Sequence, residues 1–505
     1  MNLTGGEPGL RLASGPGRWV LFATVLGSAM ASIDATVVGI ALPAIGRDFD
    51  ASLAALQWVV TAYTLTLAGL LLVAGTLGDR YGRRLVFIAG VIWFAIASVL
   101  CGVALNAGML IAARALQGVG AALLTPGSLA IIEASFHPDD RGKAIGAWSG
   151  FAGVGTAIGP FLGGWLIQAV SWRLIFAINL PVAALVIAVA WRHVPESSDT
   201  AMSGRVDFAG GALVTLGLIG VTYGLIDGPS GGWARPAPVS ALVAGAVLLA
   251  AFVARERRAR EPVLPLSLFS STQFSAANVV TFVVYAALGG ALFLLPIQLE
   301  QVSGYTALEA GMSLLPVTVI MLALSARSGA LAARIGPRLQ MTVGPVIIAA
   351  GLALFARIGH SGNYLTEVLP AVLVFGLGLA ANVAPLTSTV LAAAPAHNAG
   401  AASAVNNDVA RAAGLIAVAV LPAAAGLTGA AYLDSGLFTA GFRTACFISA
   451  GLCVLGGMLA AATIRNPRSV APAVTAEAVP AQRAMLHCGL DCPPPRAVEP
   501  AAAGR

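Results

Sequence analysis

The sequence predicts an all-α integral membrane protein built from two related six-helix bundles with two helices inserted between them. Three observations carry this. Of the 505 residues, 58% are hydrophobic and only 10% are charged, whereas a soluble protein of this size carries about a quarter charged residues. Apolar stretches long enough to cross a bilayer recur from Trp19 to Ile464. A glycine and arginine signature in the first half returns in the second.

With roughly 20 apolar residues per span, helices fall near 19–42, 56–78, 85–106, 108–132, 144–170 and 174–191. This first group of six, 19–196, follows a tail at 1–18. Arg11 and Arg18 precede the first stretch as they would in a signal peptide, but the stretch runs to Leu42 and carries Asp34. It therefore reads as a retained span. Two further helices, near 208–226 and 237–254, flank a Gly/Pro-rich turn at Gly228–Pro238 and form an inserted pair with its loop at 197–270. The second six lie near 275–299, 309–332, 340–359, 364–391, 402–426 and 441–464, within 271–465. About fourteen transmembrane helices result. The remainder, 466–505, is rich in Pro and Ala without a helical apolar pattern, and is expected to be disordered.

Short loops differ in charge. One set holds Arg80, Arg83 and Arg84; Arg141 and Lys143; Arg192 and Arg205; Arg255, Arg257, Arg258 and Arg260; Arg334 and Arg338. The alternate set holds few basic residues. The positive-inside bias makes the first set cytoplasmic and, with an even span count, both termini too. The excess of 28 basic over 22 acidic residues is thus a matter of topology, and no nucleic-acid partner is implied.

The repeat is visible residue by residue. Gly75, Leu77, Arg80, Gly82, Arg84 and Leu85 return 254 positions later as Gly329, Leu331, Arg334, Gly336, Arg338 and Leu339. A second echo, shifted by 258, pairs Gly118 and Gly120 with Gly376 and Gly378, and Gly142 with Gly400. Two related halves around a central site is a layout common among secondary transporters.

Chemistry narrows next. The only lysine, Lys143, lies in Arg141-Gly142-Lys143-Ala144, so no Walker A loop and no nucleotide partner are expected. Hydrolytic motifs are absent, and the chain is read as no enzyme. Cys101, Cys446 and Cys453 fall in apolar segments and Cys488 and Cys492 in the tail, all as free thiols. His487 beside the tail cysteines is read as incidental, with no metal or cofactor. An ion gradient is the remaining drive: at about 2.3 kcal/mol per charge per 100 mV, one proton supports a roughly fifty-fold gradient.

Asp34 lies mid-span in Ser32-Ile33-Asp34-Ala35-Thr36. A carboxylate at that depth is costly, so it should face a cavity and exchange a proton near neutral pH. The other reading is a buried acid bonded permanently to a neighbouring helix. Arg114, in Arg114-Ala115-Leu116-Gln117-Gly118, needs an acceptor such as Asp34. It would either tune that acid or tie two helices together. In Gly75 to Arg84 the glycines allow a tight turn, and Asp79 can face a helix N-terminus, which suits a gate latch; the arginines also fix topology. Gly153 to Gly164 predicts a packing seam with a kink at Pro160. Asp408 and Arg411 are three apart on one helical face and suggest a local ion pair, whereas Glu300 and Glu309 at helix ends should be solvated. With Asp34 the one clear acid at mid-depth, neutral or monocationic amphiphiles are the expected cargo.

Together these segments resemble the major facilitator superfamily, and within it the fourteen-span drug:proton antiporters often called the EmrB/QacA type. The resemblance covers about 19–465. It rests on the 75–84 loop, the 114–120 arginine segment, the 153–164 segment, Asp34-Ala35-Thr36 through Leu42-Pro43, Trp172-Arg173 with Asn179-Leu180-Pro181, and Gln301 to Tyr305 with Ala310-Gly311. It implies the major facilitator fold and alternating access in the plasma (inner) membrane, with protons exchanged for a small amphipathic drug or antibiotic across the lipid bilayer. It assigns Asp34 and Arg114, with Thr36 and Gln117, to the proton or substrate path, and Gly75, Asp79, Arg80, Gly82 and Arg83 to gating. Gly155, Gly159, Pro160, Gly163 and Gly164 form its antiporter-type packing. Gly39 stands where that family commonly has asparagine, and Ala333 where the first half has Asp79. Export of an endogenous metabolite, peptide or siderophore is the alternative activity, and a transport-inactive membrane sensor the third. Participation of a periplasmic adaptor is left open.

Overall fold

In the computed structural model, residues 9–198, 207–259, 264–395, 398–432 and 434–466 are described. The expectation of a disordered tail and the thiols Cys488 and Cys492 lie outside them. Fourteen long helices follow one another: α1 (Gly15–Phe49), α2 (Leu53–Tyr81), α3 (Arg83–Gly102), α4 (Ala107–Ser135), α5 (Pro138–Ala169), α6 (Leu174–His193), α7 (Phe208–Gly231), α8 (Pro236–Glu256), α9 (Thr272–Val302), α10 (Ala307–Ile335), α11 (Pro337–Phe355), α12 (Tyr364–Ala392), α13 (Ala399–Ala424) and α14 (Ser435–Thr463). Among the described residues, thirteen of them are long and apolar enough to cross a membrane. The fourteenth, α5, spans 32 residues but opens on a polar turn carrying Asp139 and Asp140. Among the described residues there is no strand, only an isolated bridge between Leu10 and Phe136.

Most helices outrun the apolar stretches that announce them, because their ends are set by caps rather than by hydropathy. Ser14 accepts from Gly17 N at 3.2 Å and starts α1 before Trp19; Asp50, at φ 46°, stops it. Such side-chain caps satisfy backbone N–H groups left open at a helix start. Within α6 the chain is reset at Ile178, just ahead of Pro181, and α9 closes in a wider turn over Gln298–Val302.

Each helix contact in the first half has a counterpart in the second. α2 and α3 pack on α4 as α10 and α11 pack on α12; α1 packs on α5 and α6 as α9 packs on α13 and α14. Glycine sets the closest crossings. A side chain at Gly118 would strike Tyr63 and Thr66, and one at Gly120 would strike Phe94. In the second half Gly376 lies against Val317 and Ile320, and Gly378 against Ile348, each neighbour 254 positions on from its equivalent.

The arginine-rich turns are built alike as well. Gly82 (φ 110°) and Gly336 (φ 85°) take backbone conformations that side chains avoid. At the start of α3 the free N–H groups of Arg84 and Leu85 donate to the Glu196 carboxylate at 3.0 and 3.2 Å. At α11 the N–H of Arg338 donates to Asn466 Oδ1 at 3.1 Å. In each half, therefore, a residue just past the sixth helix caps the third.

α7 packs on α2, α13 and α8, while α8 is held chiefly by α7. At the arginine-rich end Asp207 caps α7 and binds Arg255 at 2.8 Å, and that guanidinium holds the Asp207 carboxyl below the usual range.

Gly120→Val should disrupt the α3–α4 crossing, since even a Cβ there would sit 2.6 Å from Phe94 N. A cost of about 1–3 kcal/mol is expected for such overpacking, read as a lower melting temperature in detergent. Unchanged stability would mean the crossing is not as close as described.

Candidate functional site

Asp34 sits on the face of α1 that also carries Val37, Val38 and Ala41, all buried. That face meets α3, α4 and α6. Asp34 Oδ1 accepts from Gln117 Nε2 at 2.7 Å and from Asn179 Nδ2 at 3.0 Å, and Oδ2 accepts from Arg114 Nη1. Ser98 Oγ accepts from the same two amides, at 2.9 and 2.8 Å. Arg114 and Gln117, three apart, share one face of α4 and are joined at 2.6 Å between Nη1 and Oε1. The guanidinium lies over the Tyr63 ring, 4.2 Å from its centroid. Both charged side chains are 1% exposed. A buried pair of this kind tolerates burial only because each partner is fully bonded, and removing one costs about 3–5 kcal/mol.

Depth in the span predicts a cavity-facing Asp34; the structure turns it inward instead. The cavity wall takes Ala35, Thr36, Gly39 and Ile40 from α1. Thr36 is two residues on from Asp34, roughly 200° round the helix, so the two point to opposite sides. The acid goes where Arg114 and the two amides supply donors that an apolar cavity lacks.

The cavity itself measures about 330 Å³, at the lower end of the range for small-molecule sites. Both halves line it. The first contributes Thr36, Thr61, Thr64 and Pro160, and the second Leu292, Phe293, Leu415 and Arg411. Of the four residues expected on the proton or substrate path, Asp34, Arg114 and Gln117 form one buried cluster, and Thr36 alone reaches the cavity.

The 153–164 segment forms the expected seam. Gly155, Gly159 and Gly163 lie against Ala29, Thr36 and Val37 of α1. Gly164 also meets the backbone at Ala307 and Leu308, and Pro160 O faces Gly311, so the seam reaches into the second half. In the 75–84 turn Gly75 lies near Pro126 of α4. Arg83 binds Asp79 at 2.8 Å, and Arg80 lies over the Tyr81 ring. The helix N-terminus that Asp79 was free to face is capped by Glu196, and Asp79 is engaged by Arg83.

Two further expectations are corrected. Glu309 is exposed in a capping box with Thr306, but Glu300 is buried and lies 3.7 Å from Arg47, because α9 turns it toward α1 rather than toward solvent. Asp408 and Arg411 share a face, yet among the described residues no ion pair joins them. Asp408 Oδ1 is buried without a partner, while Arg411 lines the cavity. Residue patterns had not singled out Ser98, nor Gln57, whose amide donates to Val418 O at 2.5 Å across the two halves. A lone amide in the apolar α2 was the available signal for Gln57; Ser98 has none.

The chain belongs to the Major Facilitator Superfamily, whose family model matches residues 24–419, and with a relative named as an export protein it is a transporter rather than an enzyme. Over 458 residues it is 36% identical to a puromycin resistance protein of Streptomyces alboniger, covering 88% of this chain and 90% of that one. It is 35% identical to a tetracenomycin C resistance and export protein of Streptomyces glaucescens, covering 79% and 74%. It is 36% identical to the multidrug resistance protein Stp of Mycobacterium tuberculosis, covering 76% and 71%. Among solved structures, a D-xylose-proton symporter superposes with a TM-score of 0.63 at 15% identity, covering 89% of this chain and 98% of that one. A bacterial homologue of the lysosomal transporter Spinster gives 0.61 at 18%, covering 89% and 97%.

A double-mutant cycle tests the buried cluster. Asp34→Asn and Arg114→Gln should each lower thermal stability by about 3–5 kcal/mol, whereas the double variant should lose less than the sum. Additive losses would mean that the two residues are not a pair.

Proposed function

We propose that this chain is a proton-coupled exporter of small amphipathic compounds, antibiotics among them, working by alternating access as a fourteen-span drug:proton antiporter of the plasma membrane. The observation that carries the reading is the placement of α1. One face holds a carboxylate bound to Arg114, Gln117 and Asn179, and the other walls the cavity. A proton on Asp34 cancels the charge that Arg114 holds, and the Arg114 cluster then binds α1 less tightly. Because α1 also packs on α5 and α9, its release is felt at the cavity and in the other half. Neutralisation of one buried acid thereby biases a two-state arrangement of the bundles at 19–196 and 271–465.

The contacts between halves support one conformation. At the end away from the arginine-rich loops, α1 meets α9 through Arg47 and Glu300, α2 meets α13 through Gln57, and α5 meets α10 through Gly164. At the arginine-rich end a side chain built at Gly142, Gly146, Gly150 or Gly400 would meet nothing within 4 Å. With the arginine-rich loops cytoplasmic, as both termini then are, this is an inward-facing state. The names of the relatives, resistance to puromycin and resistance to and export of tetracenomycin C, support drug export.

In everted vesicles acidified inside by respiration, adding tetracenomycin C, the compound named for one relative and one without an amine, should dissipate the pH gradient with the wild-type protein. Asp34→Asn should abolish the response while the variant still inserts in the membrane; a retained response would remove Asp34 from coupling. At the other end, Glu300→Gln should loosen the Arg47 contact. The expected readout is a larger population with increased separation between spin labels at Asp50 and Thr428, measured by double electron–electron resonance. An unchanged distance distribution would mean that the pair does not hold that end closed.

A further inference from the structure

We propose that the central cavity selects amphiphiles bearing a single negative charge, and that Arg411 is the residue that recognises it. This deepens the transport reading and rests on it. Spacing alone pairs Arg411 with Asp408 and leaves a cavity suited to neutral or cationic cargo. The structure removes both supports for that view. The one mid-depth acid, Asp34, is turned away and bound by Arg114. Arg411 is the only charged side chain among the lining residues; among the described residues no ion pair within 4 Å or hydrogen bond engages its guanidinium, and Asp408, one turn earlier on α13, acts on it only through longer-range charge.

The remaining polar groups of the wall sharpen the selection. Thr36 Oγ1 donates to Ser32 O and Ile33 O at 3.2 and 3.0 Å, Thr61 Oγ1 to Gln57 O at 2.7 Å, and Thr64 Oγ1 to Val60 O at 3.3 Å. Each hydroxyl proton is therefore committed to its own helix, and what these threonines offer the cavity is oxygen lone pairs. The second half presents a cation and the first half presents acceptors. Cargo that satisfies both carries a carboxylate or similar anion at one end, N–H or O–H donors at the other, and an apolar body to lie against Leu292, Phe293 and Leu415. A guanidinium binds a carboxylate through two parallel charge-assisted hydrogen bonds. A cationic cargo would instead bring like charges together in a wall with little polar screening.

The test uses three probes with one fluorescent body: dansylglycine (anionic), its methyl ester (neutral) and dansylethylenediamine (cationic). Equilibrium binding to the purified full-length protein is read from dansyl fluorescence. Wild type should bind dansylglycine about tenfold or more tightly than either of the others, a gap of about 1.4 kcal/mol or more. Arg411→Gln should bring the carboxylate-to-ester ratio near one, and Arg411→Lys should keep most of it. A wild-type preference for the amine, equal binding of all three, binding of none, or a preference that survives Arg411→Gln would overturn the inference. Proton-driven uptake of the same probes into vesicles separates the two proposals. Selective binding without transport sinks the exporter reading alone, whereas transport that favours the amine sinks the anion-selective cavity alone.

Discussion

An ionised carboxylate paired with an arginine inside a membrane protein needs donors on both oxygens, and for Asp34 that requirement organises the first half of this chain. Asp34 draws Arg114 and Gln117 from α4, Asn179 from α6 and, through the amides, Ser98 from α3. Left unpaired at this depth, any one of the charges would carry a penalty comparable with the stability of a whole domain. Satisfying them fixes how α1 is rotated. Once the Asp34 face is turned toward α4, the Thr36, Gly39 and Ile40 face is left to the cavity and, at Thr36, to Gly159 of α5.

The rest of the bundle depends on close approach rather than on charge. Lipid gives helices no hydrophobic reason to associate, so small residues and tight contacts hold them. The glycine pairs 118/120 and 376/378 perform this duty at equivalent crossings. Glu196 and Asn466 complete the symmetry at the arginine-rich end, each capping the third helix of its half. The halves differ where function is proposed to lie. The first owns the Asp34–Arg114 cluster and the cavity's threonines, and the second owns Arg411.

Much of this architecture was legible in the residues. Apolar runs located the helices because each crossing needs roughly 20 apolar residues, and the 258-residue glycine echo exposed the two halves because a side chain does not fit at such crossings. Asp34 and Arg114 were a visible pair because each needs a partner that lipid does not supply. The direction of Asp34 was hidden: helical period places it opposite Thr36, but only the position of α4 decides which of the two meets the cavity. Glu196 and Asn466 act on helices far from them in sequence and leave no local signature. The spacing of Asp408 and Arg411 permits a pair, yet the cavity beside α13 gives the arginine another place to go.

In the proposed cycle a proton and cargo compete for the same state of α1 without touching the same atoms. Proton release on cargo binding tests that coupling most directly. Purified protein in weakly buffered detergent solution, mixed with tetracenomycin C adjusted to the same pH and followed with a pH indicator, should release protons with the wild type and none with Asp34→Asn. Equal release by both would place the exchanged proton elsewhere and contradict the account.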